Sequence, residues 1–97
     1  MRILVSAPHL TKPTLETIES ISKKRFKSID RLLNHMKDKS GNYLEISVDK
    51  EGDEFKVVAK LNAFSFFVVT TKHRDLRIAI RDASKELKAV VKKAKNN

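Results

Sequence analysis

Six cations, Arg77, Arg81, Lys85, Lys88, Lys92 and Lys95, recur at steps of three and four residues near the end of this 97-residue chain. A helix turns by roughly 100° per residue, so such steps stack the side chains in one stripe. Lysine and arginine at that spacing do not make a catalytic centre. They make a ladder of point charges and planar forks that suits phosphates, the chemistry of holding a polyanion. In the same stretch Leu76, Ala79, Ile80, Ala83, Leu87, Val90, Val91 and Ala94 fall in a separate arc, and Asp82 and Glu86 take the other flank. The plainer alternative is a solvated face, because Lys and Arg are good helix formers.

A second basic group lies earlier. Lys23, Lys24, Lys27 and Arg31 gather opposite an apolar arc of Leu15, Ile18, Ile21, Phe26, Ile29, Leu32, Leu33 and Met36. Arg25 is the misfit, since its direction on a continuous helix lies within that arc and its charge has to snorkel out. Other chemistry is sparse. His9, His35 and His73 have no Cys partners and no metal-ligand spacing, and the pairs His35/Asp38 and His73/Asp75 sit at helix ends, where such residues cap or bond locally. Asp49, Glu51, Asp53 and Glu54 resemble a cation loop only superficially, because Gly52 falls at the fourth position and no bidentate Glu closes the set. Two glycines leave no phosphate-cradling loop. The expectation is a protein with no catalytic residues, no metal, no cofactor and no small-molecule substrate.

The totals agree with a polyanion partner. Lys and Arg number 21 against 12 acidic residues, for a formal net charge of +9 and a pI near 10.0. The length supports one domain spanning the chain, 1–97, and a hydrophobic share of 40% with no Trp implies an aliphatic core. There is no Cys, no stretch built like a signal peptide and no apolar run longer than residues 66–69, so the expectation is a soluble, cytoplasmic protein away from membranes.

Several elements must hold these cations. Residues 2–6 read as a strand stopped by Pro8. Thr11 and Thr14 bracket Pro13 as a helix start, and the helix runs to about Lys37. Residues 38–42 break it, with Gly41 as a turn residue. The period then changes to two: Leu44, Ile46 and Val48 alternate with polar residues, Lys50 to Asp53 turn the chain, and Phe55, Val57, Ala59 and Leu61 alternate again. After a turn near Asn62 and Ala63, residues 64–71 form a strand whose inward face is undecided between Phe66/Val68 and Phe67/Val69. The last helix begins near Asp75. The order β-α-β-β-β-α with one apolar face per element predicts an α+β two-layer sandwich, four strands below and two helices above, like a double-stranded-RNA-binding domain. Both basic stripes then share the helical face.

At Lys72-His73-Arg74-Asp75-Leu76-Arg77-Ile78-Ala79-Ile80 the sequence resembles the ribosome hibernation promoting factors, also called ribosome-associated inhibitor or sigma-54 modulation proteins. That family enters its final helix with Lys/Gly-His-Glu-Asp-Met-Tyr-Ala-Ala-Ile, and Arg25-Phe26 and Ile29-Asp30-Arg31 are similar to its Arg-Leu and Leu-Glu-Lys. The resemblance implies a short-form, non-catalytic stress-response protein that lodges in the small ribosomal subunit, contacts ribosomal RNA through its basic helical face and obstructs messenger and transfer RNA. Carried over residue by residue, it implies RNA contacts at Arg25, Arg31 and Lys93. Arg74 and Arg77 replace the family's Glu and Tyr, and Glu86 and Ala89 stand where it often carries Lys and Arg. The residues expected to bind RNA are therefore Lys23, Lys24, Arg25, Lys27, Arg31, Arg77, Arg81, Lys85, Lys88, Lys92 and Lys93, with the small subunit and its RNA as partner and a monomer when free. The alternatives are an RNA- or DNA-binding module away from the ribosome, and an interaction domain for an acidic protein.

Overall fold

The structure, a computed structural model, describes residues 2–33 and 41–96. Its elements are β1 (Arg2–Ser6), α1 (Lys12–Arg25), α2 (Lys27–Leu32), β2 (Tyr43–Glu51), β3 (Glu54–Asn62), β4 (Phe66–His73) and α3 (Leu76–Lys95). The strands form one sheet in the order β1-β2-β3-β4, with β1 parallel to β2 and the other pairs antiparallel. The parallel pair needs a crossover, and α1 with α2 supplies it. Helices α1 and α3 lie on the same face of the sheet, α1 against β1 and α3 against β3 and β4, which is the α+β sandwich read from the sequence. Among the described residues no helix is long and apolar enough to cross a membrane.

Local chemistry sets the boundaries. Thr11 caps α1, its Oγ1 accepting from the Thr14 amide, with Pro13 in the first turn where a missing N–H costs nothing. Asp75 caps α3 by accepting from the Arg77 amide at 2.9 Å, and its own amide donates to His73 Nδ1 at 2.8 Å. The His73/Asp75 pair is thus a capping device. In the β2–β3 turn Gly52 takes φ 63 while Asp53 stays at negative φ, the type II′ arrangement that needs glycine first.

The first helix departs from its reading. It stops at Arg25, Phe26 takes φ −91 and ψ 5, and α2 restarts at Lys27. A straight helix would have carried Arg25 in its buried arc. Breaking at Phe26 instead buries that ring completely, keeps Ile29 and Leu33 in the core and leaves Arg25 exposed. The expected continuation through His35 and Met36 to Lys37, and the break at 38–40, lie outside the described residues.

The third antiparallel strand runs two residues later than expected, and its faces are settled by register. Phe67, Val69 and Thr71 stand beside Leu61, Ala59 and Val57 on the inner face, while Phe66 and Val68 face outward at 57% and 50% exposure. Phe64 falls in the turn and meets Phe67 edge-on, with ring centroids 5.4 Å apart. Between sheet and helices the core gathers Ile18, Phe26, Ile29, Leu44, Ile46, Leu61, Ile80, Leu87 and Val91. Val90, read as part of the apolar arc, is 38% exposed at its margin.

Three hydrogen bonds fix α3. Thr71 Oγ1 donates to the Ala79 carbonyl at 2.7 Å, Ser84 Oγ to the Arg25 carbonyl at 2.9 Å and Lys95 Nζ to the Leu32 carbonyl at 2.6 Å. The last two acceptors are terminal carbonyls of α1 and α2, groups that no intrahelical partner satisfies. Ser22 makes a useful contrast, since its Oγ is fully buried without a partner among the described residues. Removing a satisfied hydroxyl strands its partner, whereas removing an orphaned one relieves a desolvation cost. Equilibrium urea unfolding should therefore show Ser84→Ala losing about 1 kcal/mol and Ser22→Ala gaining up to about 1 kcal/mol.

Candidate nucleic-acid interface

The expected RNA-binding residues all lie on the helical layer. Lys23, Lys24 and Arg25 form the last turn of α1, where the helix dipole favours cations. Lys27 and Arg31 follow on α2, and Arg77, Arg81, Lys85, Lys88, Lys92 and Lys93 are on α3. Most are exposed; Arg81 and Lys88 are half-buried.

They are not one uniform patch. An open groove of about 980 Å³ between α1 and the start of α3 brings Lys24 and Arg25 together with Arg77. These residues are more than fifty positions apart in sequence, and the Ser84 bond to the Arg25 carbonyl holds the two helices at this point. Pro13, Thr17 and Ser20 form the α1 wall, with Glu16 as its one carboxylate. On the opposite flank Lys23, Lys24 and Lys27 border a second hollow of about 660 Å³ beside Ile3 and Asp30. Lys24 is common to both and bridges them.

On α3 the stripe divides. Ser84, Lys88 and Lys95 share the side that meets α1 and α2, whereas Lys85 lines a hollow against β4 with Asp82, Glu86 and Lys72. Lys93, seven residues after Glu86, lies on that β4 flank, away from the groove. Arg81 is held at 3.4 Å by Asp82. Among the described residues it is the one expected contact cation in an ion pair. Lys95, part of the original stripe, serves instead to cap α2.

Sequence reasoning missed the groove's hydroxyl wall. Its signal was present, because Pro13, Thr17, Ser20 and Lys24 recur at steps of four, three and four. Thr17 Oγ1 is occupied, donating to the Pro13 carbonyl at 3.0 Å, while Ser20 is exposed. Among the described residues no group of three His, Cys, Asp or Glu is placed to hold a metal.

Glu16, Asp30, Asp82 and Glu86 stay on the helical layer, and other acids are engaged away from it. At the hairpin end Glu51 meets Lys72 at 2.8 Å and Lys56 at 3.4 Å, and Asp53 meets Arg74 at 3.3 Å. The sheet's far tip thus consumes carboxylates that could have quenched the helical face.

No protein-family model and no curated protein matches the chain. Solved structures do. The N-terminal domain of Protein Y from Thermus thermophilus superposes with a TM-score of 0.76 over 96% of this chain and 98% of that one, at 18% identity. A ribosomal subunit interface protein from Coxiella burnetii superposes with a TM-score of 0.78 over the full length of both chains, at 14% identity. The chain has the fold of these proteins. The superposition covers 96% and 100% of this chain, so the whole two-layer unit, and not the helices alone, is what the three share.

The hairpin clamp titrates. The hydrogen bond from Lys72, then the charge of Lys56, hold the Glu51 carboxyl below its ordinary 4.5, and the same bond raises Lys72 above its ordinary 10.5. A depressed carboxylate adds stability that is present above its unfolded value and lost as pH falls through the folded one. A raised lysine adds stability that is lost only as pH climbs past 10.5. Wild type should therefore melt slightly above Glu51→Gln at pH 7, with the gap closing in acid below 4.5 and shrinking in high salt, since the pair is exposed. Thermal melts of both proteins from acid to neutral pH read this.

Proposed function

We propose that the chain is a ribosome-associated factor that binds the small subunit and its RNA through the helical layer, obstructing messenger and transfer RNA in the cytoplasm of stressed cells. The observation that carries this reading is the convergence of Lys24, Arg25 and Arg77 across the α1–α3 groove, on a layer whose cations are almost free of carboxylate partners among the described residues. The fold it shares with a ribosomal subunit interface protein supports the same partner. Binding is steric and electrostatic, with no covalent step.

Cations held in place by packed helices release counterions on meeting phosphates, and each phosphate neutralised adds roughly 0.7 to 0.9 to the slope of log K against log salt. Arginine forks grip phosphate in a planar, two-point manner, which gives Arg25 and Arg77 the greater share of orientation. Recognition is of RNA shape, because among the described residues no exposed aromatic ring stands among these cations to stack on a base, Phe26 being fully buried.

Co-sedimentation with ribosomes over a salt series tests the reading. Arg25→Ala combined with Arg77→Ala should weaken binding at least about tenfold and lower the salt slope by roughly 1.4 to 1.8. Lys85→Ala, whose charge is offset by Asp82 and Glu86, should change both less. Unchanged binding in the double variant contradicts the proposed face. A free RNA duplex that competes as well as ribosomal RNA does would favour a module acting away from the ribosome.

A further inference from the structure

The open face of the sheet is chemically unlike the helical layer. Its outward positions balance four carboxylates against four cations, with Glu45 opposite Lys60 and Asp49 opposite Lys56. A face without net charge does not attract a polyanion. At its β4 margin, however, Phe64, Phe66 and Val68 are 42%, 57% and 50% exposed, a run of large apolar side chains on one edge.

The two edges of the sheet differ. β1 is five residues long and is followed by Pro8, features that blunt an edge. β4 is eight residues long, contains no proline or glycine, and carries its one outward lysine, Lys72, near the end. Its free backbone row is a template for another strand, and none of the usual protections guards its middle.

We propose that β4 pairs antiparallel with β4 of a second copy of this chain, centred on Val69, joining two sheets into one of eight strands. Two-fold pairing about an axis normal to the sheet keeps each residue on its own face, so partners must share parity. Centring on Val69 engages positions 66–72 and sets Phe66 opposite Lys72, Phe67 opposite Thr71 and Val68 opposite Thr70. Each large side chain meets a smaller or flexible one, and no like charges oppose. The Phe66/Lys72 match repeats a pair that the sheet already contains: Lys50 and Phe55 face each other across β2 and β3, with the ammonium 5.4 Å from the ring centroid. Lys72 meets the ring by turning from Glu51, its exposed partner at 2.8 Å in the single copy. Both helical layers then lie on one side of the joined sheet, with the α3 flank of Asp82, Lys85 and Glu86, which shares a hollow with Thr70, Thr71 and Lys72, next to the seam. The expectation of a free monomer is the opposite outcome of the sedimentation test.

Phe66 is exposed on the open face of the sheet, opposite the helical layer, so charge placed there leaves the protomer intact. Sedimentation equilibrium of the full chain from roughly 10 μM to 1 mM reads the association. Wild type should dimerise, more tightly as salt rises, because screening weakens repulsion between two cationic copies; polyphosphate binding has the opposite salt sign. Phe66→Glu, which sets Glu opposite Lys72 twice per dimer, should associate at least about tenfold more tightly than Phe66→Lys, which sets lysine there. A wild type that stays monomeric throughout, or equal association of the two variants, overturns the proposal.

Discussion

Terminal carbonyls of a helix are acceptors that the helix itself cannot satisfy, and this protein satisfies two of them from a third helix. Ser84 reaches the end of α1 and Lys95 the end of α2, while Thr71 ties the start of α3 to the sheet. These contacts set the separation of α1 and α3, and with it the distance across the groove in which Lys24, Arg25 and Arg77 meet. A charge ladder on a loose helix would spend much of its binding free energy on ordering. Here the ordering is completed on folding, by hydrogen bonds and by the burial of Phe26, Ile29, Ile80 and Leu87 beneath.

The two faces of the sandwich divide the electrostatics. Carboxylates on the strands are matched by strand cations, most visibly where Glu51 takes both Lys56 and Lys72. The helices carry the surplus behind the formal charge of +9. Concentrating the surplus on one layer gives the molecule a direction: an anionic partner meets the helices first, and the sheet turns toward whatever does not repel a neutral apolar edge.

Much of this was legible in the residues. Period-two alternation from Leu44 to Leu61 showed the hairpin and its inner face, but the turn read as Lys50 to Asp53 is only Gly52 and Asp53, because Lys50 and Glu51 continue β2 and pair with Phe55 and Glu54. The caps were legible as well, since Thr11 and Asp75 are residue types whose short side chains reach an amide two or three positions on. What could not be read came from tertiary competition. The break at Phe26 follows from a conflict between a charged residue and a buried arc, visible in the sequence only as the oddness of Arg25. In β4 apolar residues occupy both parities, so alternation is silent and only pairing with Val57, Ala59 and Leu61 assigns the faces. The site was legible as a set of cations but not as a geometry: helical phase placed Lys85, Lys88 and Lys95 in one stripe, whereas the neighbours of each decide which is free, which is offset by acids and which is spent as a cap.

The account stands on the helical layer being the surface that meets ribosomal RNA. Lysine footprinting reads that surface directly: the chain is acylated free and on purified small subunits, and the rate is compared at each lysine by mass spectrometry. The account predicts strong protection at Lys23, Lys24, Lys27, Lys88 and Lys92, with Lys50 and Lys60 on the strands reacting as fast as in the free protein. Protection of the strand lysines with the helical ones left open would contradict it.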